Sequence, residues 1–268
     1  MEQTAQRWRV DAAPHEISAD GVTRLSVRLV AGRVDVVGTD DPTATVQVSE
    51  IVGRPVVVEV VDGRLSVHHE KLTWDGIFDW FNRTESRAVV SIAVPRDVAC
   101  ELGVVSAEAV VSGLTGQTNV RSVSGDVTLD GIHANVNAKT VSGDLETRDL
   151  TGRLGFQTVS GDLTVVAGNG DEVRAETVSG QVTLDLTVAG RVEVKSVSGD
   201  LTVRLAPSSG ISVDVSSVSG RLESAFEGLE RESKPGRASL RGAVGDGATA
   251  VRARSISGDV TLLRRDSA

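Results

Sequence analysis

The chain has 268 residues, of which 40% are hydrophobic and only 3% aromatic, and its formal net charge is −9. With 28 basic against 37 acidic residues, binding to a phosphate backbone is disfavoured, and no long basic run offers a local exception. A core of this length built mainly from Val and other aliphatic residues favours strands. Helical bundles, coiled coils and disordered chains are therefore disfavoured.

The amino-terminal residues are polar, and no stretch of the sequence approaches the 18 apolar residues of a membrane span. We therefore expect a cytoplasmic protein with no signal peptide and no membrane span. The single cysteine, Cys100, cannot form an intrachain disulfide, and its apolar neighbours Val98 and Ala99 predict a buried, inert thiol.

Residues 1–103 carry strand signals without a repeated motif. The alternating segments are Leu25–Leu29, Arg33–Val37, Thr45–Val48, Val56–Val60 and Val89–Pro95. They could form a separate β region, or the first irregular rungs or the cap of a longer repeat structure. We favour the second interpretation because no linker follows them.

An aromatic cluster interrupts this region and holds four of the seven aromatic residues of the chain. Its apolar members are Trp74, Ile77, Phe78, Trp80 and Phe81. Four of them, all except Trp80, have the spacing of one helical face. The cluster could cap an open end of the β core, or it could be a docking patch for a partner, a second copy or a membrane surface. The cap is favoured, and the neighbouring Asp75 and Asp79 argue against an anionic membrane.

A repeat organises residues 104–225 and recurs once at Ser255. Seven segments share the pattern Ser/Thr-Val/Ile-Ser-Gly-x-Val/Leu, and they begin at Ser122, Thr140, Thr158, Thr177, Ser196, Ser217 and Ser255. The successive offsets are 18, 18, 19, 19, 21 and 38 residues. Each period contains two short alternating strands and two turns, which cannot bury an apolar face alone but can do so when stacked. The pattern predicts an all-β, single-stranded parallel β-solenoid with rungs of 18–19 residues. An antiparallel sandwich or meander is the alternative.

The Ser-Gly pair of each repeat is predicted to be a structural corner. Its members are Ser124, Gly125, Ser142, Gly143, Ser160, Gly161, Ser179, Gly180, Ser198, Gly199, Ser219, Gly220, Ser257 and Gly258. A sharp corner needs a positive φ or a close backbone approach, which only Gly accommodates without strain. The hydroxyl groups are expected to bond the turn backbone or the next rung.

Two acidic or histidine-containing features could bind a metal. The first is the row Asp126, Asp144, Asp162, Asp200 and Asp259, for which turn hydrogen bonding is favoured because Gln181 and Arg221 interrupt the row. The second is His68-His69-Glu70, whose neighbouring side chains would point to opposite faces of a strand. We predict no metal and no cofactor. No nucleophile elbow, Walker loop or metalloprotease motif occurs in the sequence, so we expect no enzymatic activity.

The remaining residues are predicted to form a charged, Gly-rich loop at 226–248, followed by a closing rung and a tail at 249–268. The 38-residue offset before the last motif suggests that one repeat is degenerate or replaced there.

These repeats, together with Val94-Pro95 before them and Ser257-Gly258-Asp259-Val260 at their end, resemble the DUF4097 family of β-strand-repeat proteins over roughly residues 20–263. The resemblance implies a β-helix-like fold and no established enzymatic activity, and some relatives are associated with cell-envelope stress. Members often carry an adhesin label, which implies export. The expected function is a scaffold or protein-interaction module with a protein partner or self-association, without nucleic acid, and with peripheral membrane contact as a further option. The alternatives are a glycan-binding or carbohydrate-active β-helix protein and an adhesin.

Overall fold

A computed structural model describes residues 5–70, 86–206 and 210–265. The described residues form strands and turns and contain no helix, so none can cross a membrane as a helix. The chain divides into two compact units, Met1–Thr128 and Leu129–Ala268. The sequence had predicted the change of organisation at residue 103.

The first unit contains eleven whole strands among its described residues. They are β1 (Gln6–Val10), β2 (His15–Ala19), β3 (Arg24–Leu29), β4 (Ala31–Thr39), β5 (Ala44–Val52), β6 (Val56–Val61), β7 (Arg64–His69), β8 (Arg87–Pro95), β9 (Ala99–Val104), β10 (Glu108–Ser112) and β11 (Thr118–Ser122). A further strand, β12 (Val127–Asp130), includes the boundary between the units.

Pairing in the first unit changes from antiparallel to parallel. Strand β6 pairs antiparallel with β1 and β7, and β5 pairs antiparallel with β2 and β8. The inner strands are parallel: β3 lies between β7 and β9, and β4 lies between β8 and β10. This unit therefore has solenoid-like rungs next to strands of an antiparallel meander.

The second unit contains twelve whole strands among its described residues. They are β13 (Val136–Lys139), β14 (Leu145–Arg148), β15 (Thr151–Thr158), β16 (Leu163–Thr177), β17 (Val182–Ser196), β18 (Leu201–Leu205), β19 (Ile211–Ser217), β20 (Leu222–Ser224), β21 (Glu230–Lys234), β22 (Arg237–Val244), β23 (Thr249–Ser255) and β24 (Val260–Arg264).

Parallel pairing at a constant offset confirms the predicted β-solenoid in the second unit. Leu145 pairs with Leu163, and Leu163 pairs with Val182, so equivalent residues of successive rungs lie side by side. Val182 pairs in turn with Leu201. These offsets are 18 and 19 residues, as the motif spacing predicts. Most of the inward-facing side chains are aliphatic and buried, with Phe156 as an aromatic exception, because the narrow interior between the two faces of a rung has room for Val and Leu in every layer.

The last rung of the sequence is not the last rung of the stack. Strand β23 pairs in parallel with β17 on one side and with β19 on the other, and β24 lies in the same way between β18 and β20. The predicted closing rung is therefore inserted between two earlier rungs. This placement corrects the expectation that 249–268 ends the stack.

Residues 226–248 form a β-hairpin instead of the predicted loop. Strands β21 and β22 are antiparallel, and β22 also pairs antiparallel with β19, so the hairpin extends the sheet beyond the solenoid rungs. All five residues of β21 are exposed, and four of them are charged. Charged side chains on an edge strand disfavour further strand addition.

Alternating charges match the position of the inserted rung. Arg252 of β23 is the register partner of both Glu193 and Asp214. The alternation continues outward, since Glu193 forms an ion pair with Arg174 at 2.9 Å and Asp214 forms one with Arg241 at 3.0 Å. Without β23 between them, the two carboxylates would face each other across the sheet.

Reversal of the Arg252 charge is expected to weaken the inserted rung. In Arg252→Glu, three acidic side chains would be adjacent across the sheet, and the free energy of unfolding should fall by on the order of 1 kcal/mol, measured by urea denaturation. The matched control is Arg231→Glu on the exposed strand β21. Equal effects of the two substitutions would show that the alternation does not help to position β23.

Candidate functional site

The candidate site is a row of exposed aliphatic side chains on one corner of the second unit, which we call the apolar ridge. Its members, in stacking order, are Val141, Val159, Val178, Val197, Ile256 and Val218, and their exposed fractions lie between 42% and 52%. Backbone hydrogen bonds define this order. The serine that follows a ridge residue donates its amide to the carbonyl oxygen of the ridge residue on the preceding rung, at 2.9 Å. With rungs about 4.8 Å apart, six members make a strip about 24 Å long.

Strand alternation places the ridge side chains outside. In the repeat beginning at Thr177, the side chains of Ala175 and Thr177 are buried, and Val178 is therefore directed outward. The following Ser179 is also exposed and turns the corner, and Gly180 lies on the inner side of the turn.

The buried hydroxyl group that precedes each ridge residue closes the corner. The amide of Gly180 donates to the Thr177 hydroxyl oxygen at 2.8 Å, and the amide of Gly199 donates to that of Ser196 at 2.9 Å. Equivalent bonds form at Gly161, Gly220 and Gly258. Because an unpaired buried amide is costly, the first position of the motif requires Ser or Thr.

The exposed serine of each corner links adjacent rungs. The Ser179 hydroxyl donates to the Val159 carbonyl at 3.2 Å, and the Ser198 hydroxyl donates to the Val178 carbonyl at the same distance. The serines thus bond the carbonyl groups of the preceding rung, as a structural ladder would.

The glycine of each corner is required by close approach. A methyl group on Gly180 would overlap the carbonyl oxygen of Gly161, and one on Gly199 would overlap that of Gly180. None of these three residues has a positive φ of the left-handed region. The close approach of two backbones, and not a positive φ, therefore explains why these corner positions are glycine.

The aspartates that follow the corners hold the next rung. The amide of Asp162 donates to a carboxylate oxygen of Asp144 at 2.8 Å, and the amide of Asp259 donates to one of Asp200 at 2.8 Å. Asp259 accepts the amide of Arg221 and pairs with its guanidinium, which lowers the pKa of Asp259 below its usual value. Within the described residues no group of three or more His, Cys, Asp or Glu side chains could hold a metal ion.

Two rows of polar residues border the apolar ridge. The first, two positions before each ridge residue, is Lys139, Gln157, Glu176, Lys195, Arg254 and Ser216, and we call it the basic flank. The second, three positions after, is Asp144, Asp162, Gln181, Asp200, Asp259 and Arg221, and we call it the acidic flank. The basic flank has three cations and one anion, and the acidic flank has four anions and one cation.

The histidine pair does not join a metal-binding group. His69 is fully buried, and its Nδ1 accepts the amide of Val30 at 3.3 Å. Glu70 forms an ion pair with Arg9 at 3.3 Å. Burial is the largest cause that lowers the pKa of His69 from 6.5 to about 4, so this imidazole is neutral at pH 7.

Two further sequence predictions concern the first half of the chain. Cys100 is buried, and burial raises the pKa of its thiol to about 12, which disfavours the reactive thiolate. The aromatic cluster Trp74, Ile77, Phe78, Trp80 and Phe81 lies outside the described residues, and its role as cap or docking patch stays a prediction.

The apolar ridge was not identified from the sequence, although the signal is present. The Ser, Gly and Asp of the motif have predicted roles, and the Val before the Ser-Gly pair has none. With Thr177 and Leu184 directed inward, the alternation on both sides of the corner leaves Val178 outside.

Comparisons with known proteins find one family and several solved structures that resemble this chain. Residues 22–263 match the family model described as Toastrack DUF4097. Among solved structures, a "Putative lipid binding protein" from Parabacteroides distasonis is 15% identical, with a TM-score of 0.51 and coverage of 96% of this chain and 98% of that one. A "putative adhesin" from Bacteroides fragilis is 10% identical, with a TM-score of 0.45 and coverage of 94% and 98%. No curated protein matches the sequence.

Proposed function

Because this chain belongs to the Toastrack DUF4097 family, we propose that it works without catalysis, as a β-solenoid interaction module. The supporting observation is the apolar ridge, where six aliphatic side chains, each exposed by 42% or more, follow one another on adjacent rungs. A contiguous apolar strip with polar borders is typical of a surface that another protein covers.

The chemistry of the corners supports a binding role over a catalytic one. A carbohydrate-active site would need converging carboxylates with free oxygens and an aromatic platform. Here Asp144 and Asp200 use an oxygen to bond the backbone of the next rung, and the repeats place aliphatic side chains beside them. The adhesin alternative and a role in envelope stress rest on the family label, and a cytoplasmic location stays a prediction from the sequence.

The test compares two variants of equal polarity. The ridge variant carries Val159→Thr, Val178→Thr and Val197→Thr, which keep the β-branched shape and remove apolar surface. The control variant carries Val37→Thr, Val52→Thr and Val61→Thr, three valines that are each 45% exposed and lie on three different strands, β4, β5 and β6.

Immobilised wild-type protein should retain a partner, either a second copy or another protein, that the ridge variant loses and the control variant keeps. Quantitative mass spectrometry measures the retained proteins, and thermal unfolding checks that all three proteins are folded. Equal retention by the ridge variant would contradict the proposal, as would turnover of a polysaccharide by the wild-type protein.

A further inference from the structure

The two flanks of the apolar ridge are complementary within each rung, and this pattern identifies a partner. Lys139 shares a rung with Asp144, Lys195 with Asp200, and Arg254 with Asp259. In the single rung whose basic flank carries an anion, Glu176, the acidic flank has the neutral Gln181. In the rung whose acidic flank carries Arg221, the basic flank has the neutral Ser216. No rung therefore has charges of the same sign on its two flanks.

We propose that the apolar ridge binds the ridge of a second copy of this chain, around a two-fold axis parallel to the stack of rungs. This inference rests on the proposed function and names its partner. Such an axis keeps each rung opposite the same rung of the other copy and exchanges left and right. The basic flank of one copy then faces the acidic flank of its partner, and the apolar residues meet between them.

The other two-fold arrangement is electrostatically less favourable. An axis perpendicular to the stack, lying in the interface plane, makes the ridges antiparallel and places the basic flank against the basic flank of the partner. Because the stacking order is reversed in that arrangement, Asp162 would face Asp259 of the partner in centred register, and only Asp144–Arg221 and Glu176–Lys195 would join opposite charges. The parallel arrangement joins opposite charges in three rungs and like charges in none, so the charge pattern selects it.

The ion pairs of Lys195 and Arg221 do not join the two flanks of a rung. Lys195 pairs with Glu176 of the neighbouring rung at 2.9 Å and with Glu193 of its own strand at 3.7 Å, and Arg221 pairs with Asp259 of the neighbouring rung at 2.9 Å. The side chains of Lys195 and Arg221 are 50% and 79% exposed and can also face a second copy.

The size of the strip predicts a weak dimer. A standard protein interface buries about 800 Å² on each partner. A ridge about 24 Å long with a flank on each side is smaller than this. We therefore expect a dissociation constant of roughly 10 to 100 μM and a concentration-dependent equilibrium.

Sedimentation velocity over a concentration series measures this equilibrium. Wild type and the control variant should dimerise, and the ridge variant should be monomeric at the same concentrations. About 0.5 M salt should weaken the wild-type dimer, because it screens the charged flanks. A wild-type dimer that the ridge variant retains would overturn the inference.

A single exposed position distinguishes the two arrangements. Gln157 belongs to the basic flank and shares its rung with Asp162, so in the parallel dimer it faces Asp162 of the other copy. Gln157→Lys should tighten the dimer about fivefold and Gln157→Glu should loosen it by a similar factor. In the antiparallel dimer, where Gln157 faces a basic flank, the signs are reversed, and that result would overturn the proposed axis.

Failure of this inference can be separated from failure of the proposed function. A wild-type protein that stays monomeric at 1 mM, while another protein is still retained through the ridge, removes the second copy as the partner and leaves the interaction module intact. Loss of ridge-dependent retention of every protein contradicts both.

Discussion

Replacement of Gly180 by Ala is expected to lower the free energy of unfolding by about 3 to 5 kcal/mol. A methyl group at this position would overlap the carbonyl oxygen of Gly161, and backbone cannot move aside as a flexible side chain can. To relieve the overlap, two rungs must separate at the corner. That movement would also disturb the 2.8 Å bond from the Gly180 amide to Thr177 and the 3.2 Å bond from the Ser179 hydroxyl to Val159.

The matched control is Gly236→Ala in the hairpin. Gly236 has a φ of +77° and no heavy atom within 4 Å of the added methyl group, so only left-handed strain opposes the change. That strain costs about 1 to 2 kcal/mol. Urea denaturation of both variants measures the difference. If Gly180→Ala costs no more than Gly236→Ala, the rungs can separate locally, and close approach is not the reason for glycine at the corner.

The rungs of the second unit could be predicted because their information is local and repeated. Each period contains the same buried hydroxyl, the same corner glycine and the same alternation, so one correct assignment fixes the register of all. The pairing of Leu163 with Val182 and of Val182 with Leu201 follows directly from the motif spacing.

The order of the rungs could not be predicted in the same way. Any two rungs present equivalent edges, so the motif does not specify which rung is adjacent to which. The 38-residue offset suggests a degenerate or replaced repeat, and the β21–β22 hairpin lies in this interval, but the offset does not indicate that the following rung is inserted between two earlier ones. The charge of Arg252 indicates the position of the inserted rung, because Arg252 lies between Glu193 and Asp214. This pattern can be recognised only after the strands are aligned.

The first unit shows a second limit of sequence reasoning. Segments such as Val56–Val61 have the alternation of a strand but no motif, so their pairing direction depends on the turns that connect them. The alternation therefore predicts the approximate positions of the antiparallel strands in the sequence, but it does not predict which strands pair with each other. The role of His69 was also hidden, because a histidine on a strand gives no indication of which face is buried until the sheet is known.

Stability should fall as the pH is lowered from 7 toward 5, because His69 is held neutral. The pKa of His69 is about 4 in the folded protein and 6.5 in the unfolded chain. Between these values the unfolded state binds more protons, so the free energy of unfolding increases with pH and is lost as the pH falls through this window. The loss between pH 7 and pH 5 should be about 2 kcal/mol, before most carboxyl groups titrate.

The His69→Asn variant isolates this contribution. The Asn side-chain oxygen can accept the Val30 amide that His69 Nδ1 accepts at 3.3 Å, and it does not titrate. Its free energy of unfolding at pH 7 also reflects the changed packing, so the slope against pH is the quantity to compare. We expect urea denaturation at pH 7, 6 and 5 to give a nearly flat profile for His69→Asn and a wild-type slope for His15→Asn, since His15 is exposed. A wild-type slope in His69→Asn would mean that the buried imidazole is not the group that destabilises the protein in acid.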